Sequence, residues 1–319
     1  MKNTPIIVSA PGKIHLLGEH AVVYGKPALL AAVNLRITVS ISPLNHLNNH
    51  HNKLKKIIEP IVKQHLKIKT IPPYRLTISS QIPLGAGLGS SAAISAAYIA
   101  SLLSFLKVKW DLNLINQLTF EAEKVFHGNP SGGDNSTVVF GGLIWFRKES
   151  PDLKIIQPVP FTIPKKIAKN FVLINTGKPK ETTKEIIGIV AEKSSLRRQS
   201  YGASATKFKK IFDMQEKLVR ELLPTIRDGN ENQLIQIIRA GERNLETIGV
   251  VSPSVKSIIR KIENAGGAAK ICGAGGKTKA TGVLLAYHKN RKGLEKIAKS
   301  LNLPFFKVAL GVEGLKNEN

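Results

Sequence analysis

The stretch PLGAGLGSSAAISAAYIASLL, Pro83 to Leu103, constrains this chain more than any other. Gly85, Gly87 and Gly89 alternate with Ala86 and Leu88, so every second residue lacks a side chain. Such a backbone can take positive φ and lets a bulky anion approach closely. Ser90 and Ser91 come next, where N-cap residues belong. The residues beyond them are rich in Ala and Leu without Gly or Pro, which predicts a helix. A helix start carries orphan N–H groups and a partial positive charge, and so it attracts phosphate. One account is therefore a cradle for a triphosphate. The plainer account is a tight turn before a buried helix, and the loop by itself does not choose between them.

A chain of 319 residues is long enough for about two domains of ~150 residues. Hydrophobic residues make up 42% and charged residues 22%, which suits a globular protein with a real core. Cys272 is the only cysteine, so no internal disulfide can form and a reducing cytoplasm is the expected compartment. The apolar run IIVSA near the N-terminus is too short for a signal peptide and predicts a first strand. No stretch approaches the ~20 apolar residues of a membrane helix. The net charge is +25, from 47 basic and 22 acidic residues, and the excess is spread over both halves. Nucleic acid is one partner such a charge admits. Aromatic residues are only 6% and do not interleave with the basic ones as in single-strand binders. Lysine-rich solvated faces that favour anionic substrates are the better account.

In order, residues 5–10 and 28–42 read as strands, the second ending in alternation of apolar and polar residues. Residues 43–52 read as a loop; His46, His50 and His51 there have no carboxylate or cysteine beside them to hold a metal. Residues 53–67 have helical spacing, with Pro60 predicting a kink or break. A strand over 75–80 delivers the chain into the glycine loop. A helix over 111–126 comes after it, then a turn-rich loop and an apolar strand pair around Gly141-Gly142. Three prolines between Pro158 and Pro164 mark a boundary, dividing the chain into 1–163 and 164–319. Beyond it, strands are expected at 170–175, 268–272, 281–287 and 305–310, and helices at 183–195, 203–223, 231–247, 254–265 and 291–301. There is no internal repeat, and the fold class is α+β.

Three further constellations carry chemistry. In SAPGKIHLLGEHAVVYGKPAL, Ser9 to Leu29, Lys13 comes after a Pro-Gly turn and Glu19 and His20 after Gly18. A lysine, a carboxylate and an imidazole on tight turns suit phosphoryl transfer or acid–base work; Pro-Gly and Gly-Lys-Pro are equally ordinary hairpin punctuation. In EAEKVFHGNPSGGDNS, Glu121 to Ser136, Glu123 closes a helix and Asp134 ends a loop. Such carboxylates can divide roles, one holding Mg²⁺ and one orienting a hydroxyl, or Asp134 can simply cap the next helix or turn. KICGAGGKTKATGVLL, Lys270 to Leu285, places a second glycine-rich turn between apolar strands, which a plain hairpin would also explain.

The joint order of these motifs resembles that of the GHMP kinase superfamily over essentially the whole chain, and most closely its mevalonate-phosphorylating members, through APGKIHLLGEHAVVYGKPAL and HGNPSGGDN. The resemblance implies a ribosomal-protein-S5-like first half, a ferredoxin-like second half, and a cleft where ATP and substrate meet. It implies ATP-dependent phosphorylation of mevalonate to 5-phosphomevalonate, a step of isoprenoid synthesis. A superfamily kinase acting on phosphomevalonate, homoserine or a sugar is the nearest alternative, and a nucleic-acid binder on a degenerate kinase scaffold a more distant one. It implies that Ser91 and Glu123 hold Mg²⁺ and that Gly85, Ala86, Gly87, Leu88, Gly89, Ser90 and Ser91 wrap the ATP phosphates, with Ser80 a further nucleotide contact. Asp134 takes the role of catalytic aspartate, with Lys13 beside it. Glu19, His20 and Thr183, or its neighbour Thr182, help to position mevalonate. Members of the superfamily are often dimers, so the resemblance also allows a homodimer. The sequence departs from the family pattern at Gly133, where an aliphatic residue is more usual, and at Lys277, Thr278 and Lys279, which stand where glycines usually continue; Lys277 is a candidate phosphate contact.

Overall fold

The computed structural model describes residues 4–44, 53–83, 85, 87–128, 130–150, 153–195 and 203–319, with 203–206 as backbone only. His46, His50, His51, Leu84 and Ala86 lie outside the described residues. In chain order the elements are β1 (Ile6–Leu17), a 3₁₀ turn (Ala21–Tyr24), β2 (Ala28–Pro43), α1 (Lys53–Leu66), β3 (Tyr74–Ser80), α2 (Ser90–Phe105), α3 (Leu112–His127), α4 (Gly133–Phe140), β4 (Leu143–Lys148) and β5 (Lys154–Pro158). Then come α5 (Lys165–Ala168), β6 (Phe171–Asn175), α6 (Thr183–Ser195), α7 (Ala203–Arg227), α8 (Glu231–Ile248), α9 (Pro253–Asn264), β7 (Ala268–Ile271), β8 (Val283–Tyr287), α10 (Arg291–Ser300), β9 (Phe305–Lys307) and β10 (Lys316–Asn317).

Two antiparallel sheets carry the fold, as expected of an α+β chain. The first runs β10-β1-β2-β4-β5, with β3 also paired to β2, and the second runs β7-β8-β6-β9. The long strand β2 pairs β4 through Ala28–Ala31 and β3 through Ile37–Pro43, while β1 covers its other edge. The two-residue strand β10 returns the C-terminus to β1.

The Ala-rich helix α2 is buried almost all round, with Ala92, Ala93, Ala96, Ala97, Tyr98, Ile99 and Ala100 fully inaccessible. Small side chains let it lie close on β1 and β2 while α3 covers it. One apolar cluster joins these elements to α8, to Ala268 of β7 and to Cys272 just beyond it. Gly241 in α8 sits so near β1 that a Cβ there would meet Leu17 Cδ2 at 2.3 Å. The second sheet and α6 to α10 close a further cluster around Ile174, Ile259 and Ile271. The 3₁₀ turn is tied to α7 by stacked rings of Tyr24 and Phe212, centroids 4.5 Å apart, and by Lys26, which pairs with Asp213 at 2.6 Å and Glu216 at 3.0 Å.

Four expectations change. α1 runs unbroken through Pro60. Pro60 is exposed, so the helix buries Ile58 and Val62 with the proline on the water side, where solvent can satisfy the freed carbonyl. The Pro-Gly step before Lys13 is not a turn: β1 continues through it, with a register shift between Pro11 and Gly12. The end of the turn-rich loop and the apolar residues Val138 and Val139, expected to lead into a strand pair around Gly141-Gly142, form the helix α4; its packing against α2 and α3 overrides β-propensity. The N-cap of α2 is Gly89 at φ 69°, not a serine.

Candidate active site

The three glycine-bearing motifs converge, and glycine is what lets them. A Cβ on Gly12 would stand 3.1 Å from the Leu88 carbonyl oxygen, and the Lys13 amide donates to that same oxygen at 2.9 Å. The loop before α2 is thereby laid across β1. Gly89 packs on the Lys13 stem, where a Cβ would meet Lys13 Cγ at 2.8 Å, and a Cβ on Gly87 would stand 3.7 Å from Gly273 Cα of the third motif. Gly85, Gly87 and Gly89 all have positive φ. Among the described residues no side chain caps the start of α2, which leaves its first N–H groups open to an anion.

These motifs enclose a cleft of about 270 Å³, lined among others by Lys13, Glu19, His20, Ser91, Glu123, Asp134 and Thr183. All the expected site residues but Ser80, Ala86 and Leu88 are thus brought together from β1, the two loops, α3, α4 and α6. Asp134 lies in the first turn of α4, where the helix dipole favours its negative charge. Its Oδ1 is 2.8 Å from Lys13 Nζ, with Lys13 4% exposed and Asp134 33%. Glu123 is buried, and burial, with the charge of Asp134 as second cause, pushes its carboxyl up to about 7. Its Oε1 has no partner among the described residues. His127 bridges the neighbourhood, with Nε2 2.9 Å from Ser91 Oγ and 3.7 Å from Glu123 Oε2.

An unpartnered buried carboxylate oxygen beside a serine hydroxyl fits a hard cation such as Mg²⁺, which needs only one or two protein oxygens when phosphates supply the rest. Among the described residues no cluster of three or more His, Cys, Asp or Glu side chains offers a self-sufficient metal cage.

His20 is buried in the cleft wall, and burial lowers its pKa. Its Nε2 lies 2.9 Å from the Ala274 carbonyl, so the neutral ring donates there. Thr183 opens α6 and lines the cleft. Thr182 is engaged elsewhere: its amide donates to Glu185 Oε2 at 2.6 Å and its Oγ1 accepts from the Glu185 amide at 3.2 Å, a capping box. Ser80 is exposed at the end of β3, exchanging hydrogen bonds with Ile82 rather than lining the cleft. Leu88 contributes its carbonyl to Lys13 and is itself buried. Lys277 is exposed and stands outside the cleft lining, while the Thr278 hydroxyl donates to Glu181.

Two residues at the site escape a reading of the sequence. His15 lines the cleft beside Lys13, whose ammonium donates to Nδ1 at 3.2 Å. Burial and then the Lys13 charge hold His15 well below the ordinary imidazole pKa, so it is neutral. Lys270 is wholly buried and donates to Glu19 Oε1. Its signal is present, since a lysine inside a strand that is otherwise apolar is seldom left without a partner.

The chain is similar to known proteins over most of its length. The mevalonate kinase of Archaeoglobus fulgidus is 34% identical over 280 residues, covering 85% of this chain and 89% of that protein. The chain belongs to the mevalonate kinase family of GHMP kinases. The family model for the GHMP kinases N terminal domain matches residues 52–142, which hold the glycine loop, Glu123 and Asp134. A galactokinase galactose-binding signature matches residues 1–43, which hold Lys13, Glu19 and His20. Among solved structures, L. major mevalonate kinase in complex with R-mevalonate aligns with TM-score 0.78 at 20% identity over 96% of both chains. The Methanococcus jannaschii mevalonate kinase gives 0.78 at 23% identity over 97% of this chain and 99% of its own. The GHMP kinase fold of mevalonate kinases is therefore the fold of this chain. Among the described residues no helix is long and apolar enough to cross a membrane.

Proposed function

We propose that this member of the mevalonate kinase family transfers the γ-phosphoryl group of ATP to the 5-hydroxyl of mevalonate. Kinship with mevalonate kinases supports the acceptor. The observation that carries the chemistry is the Lys13–Asp134 pair, 2.8 Å apart, standing in one cleft with Glu123, Ser91 and the uncapped start of α2.

On this reading the Gly85–Ser91 loop and the first amides of α2 hold the ATP phosphates, including the Ala86 position, and Ser80 contributes at most from outside the cleft. Ser91 and Glu123 hold Mg²⁺, which when bound neutralises charge on phosphate oxygens. Asp134 accepts or orients the proton of the attacking primary hydroxyl. Lys13 holds Asp134 through their ion pair and stabilises negative charge on the group in transit. Glu19, His20 and Thr183 position the acceptor. The division at 163/164, a homodimer and a cytoplasmic location belong to the same proposal; Cys272 as lone cysteine supports the last.

The test is a panel of mevalonate, phosphomevalonate, homoserine and galactose, each offered with labelled ATP. Label in mevalonate alone is expected. Label in galactose instead would favour the second acceptor class, to which the signature over residues 1–43 points.

A further inference from the structure

The strand β7 contributes Ala268, Lys270 and, just beyond its end, Cys272 to the face turned toward the first half of the chain, while Ala269 and Ile271 pack into the opposite cluster. Alternation places Lys270 on that inward face, where it is completely inaccessible. Its ammonium has three N–H groups, and each has an acceptor: Glu19 Oε1, the His15 carbonyl at 3.2 Å and the Ile271 carbonyl at 2.6 Å. No donor is left over for a ligand. Whatever Lys270 does for the reaction, it does through a neighbour.

That neighbour is Glu19. Its Oε1 is held by Lys270, its Oε2 is buried without a partner among the described residues, and the residue lines the cleft. A buried carboxylate oxygen left open is costly unless a donor arrives, and a substrate hydroxyl is such a donor. The adjacent His20 is anchored to the same second-half segment through the Ala274 carbonyl.

We infer that Lys270 is a positioning residue for the acceptor alcohol: by gripping one oxygen of Glu19 it turns the other toward the substrate hydroxyl. This rests on the assignment of Glu19 to acceptor binding. Lys270 thus couples the third motif to the acceptor, a task separate from the glycine turn beyond it, and it touches neither ATP nor the reacting atoms.

The experiment compares steady-state constants of wild type, Glu19→Gln, Lys270→Met and the double variant. Losing a hydrogen bond to a charged group costs about 10- to 100-fold, so Lys270→Met should raise the KM for mevalonate about tenfold or more. The KM for ATP should stay within about twofold, and the double variant should be no worse for mevalonate than Glu19→Gln alone, because coupled sites are non-additive. If Lys270→Met does not fold, Lys270→Gln, which keeps an N–H donor toward Glu19, carries the same comparison with a smaller rise. An unchanged mevalonate KM, equal rises for both substrates, or additive effects in the double variant would overturn the inference. If wild type does not phosphorylate mevalonate at all, the functional proposal fails first and this inference goes with it.

Discussion

Replacing Lys13 by methionine removes one charge from the centre of the cleft and keeps the length of the stem on which Gly89 packs. Lys13 Nζ and Asp134 Oδ1 are 2.8 Å apart. Two unit charges at that distance attract by about 6 kcal/mol at an effective dielectric of about 20, and by about 1.5 kcal/mol in bulk water. Lys13 is almost wholly buried while Asp134 is 33% exposed, so water reaches one side of the pair and an intermediate figure of about 3 kcal/mol is appropriate. Expressed in the transition state, this is a loss of roughly 10²-fold in turnover, at the lower end of the ~10²–10³ typical for one preorganised electrostatic group. The assay is steady-state phosphate transfer at saturating ATP and mevalonate, with nucleotide binding measured separately by calorimetry. ATP affinity should persist, because the loop and the α2 amides remain. Turnover within about threefold of wild type would refute the role of the pair, since a contact of this geometry cannot be removed so cheaply if it acts on the reaction.

Two other perturbations test the same geometry. Gly89→Ala puts a methyl group 2.8 Å from Lys13 Cγ at a residue with φ 69°; it should cost about 1 kcal/mol or more of stability and lower turnover by displacing Lys13, as thermal melts and initial rates would record. Glu242 is buried in α8, and burial above all pushes its carboxyl up to about 8 from an ordinary 4.5. The folded state then keeps a proton that the unfolded state releases, so the associated stability is complete below the unfolded pKa and is lost as pH rises through the folded one. Wild type should lose melting temperature between about pH 4.5 and 8 more steeply than Glu242→Gln, and parallel curves would refute the assignment.

Much of this fold is legible in the sequence where local and tertiary preferences agree. The helices expected over 111–126, 231–247 and 254–265 and the alternation in β2 all fall within a few residues of where α3, α8, α9 and β2 lie. Local patterns mislead where one residue type serves two purposes. Pro11-Gly12 looks like a turn, yet Gly12 is small so that Leu88 can approach β1. Val138 and Val139 suggest a strand, yet buried packing makes them helical and sets Asp134 in a first turn. The serines after the glycine loop suggest a side-chain cap, yet the cap is a left-handed glycine and the amides remain open.

The candidate site divides the same way. Lys13, Glu123 and Asp134 stand out because charged groups beside glycine turns invite a chemical explanation. His15 is hidden by its place inside a strand, and Lys270 by an apolar context that makes its segment look like plain sheet. Their partners, Lys13 and Glu19, lie 2 and 251 residues away in sequence, and only the second distance is beyond any local pattern.

On the proposed function, Asp134, gripped by Lys13, serves transfer of phosphate to the primary alcohol of mevalonate. The most direct measurement is ³¹P NMR of the reaction mixture, run side by side for wild type and Asp134→Asn with ATP, Mg²⁺ and mevalonate. Wild type should build a phosphate monoester on the 5-carbon, and the variant should form it roughly 10²–10³-fold more slowly while still binding ATP. Equal rates in the two proteins, or no monoester of mevalonate from wild type, would contradict it.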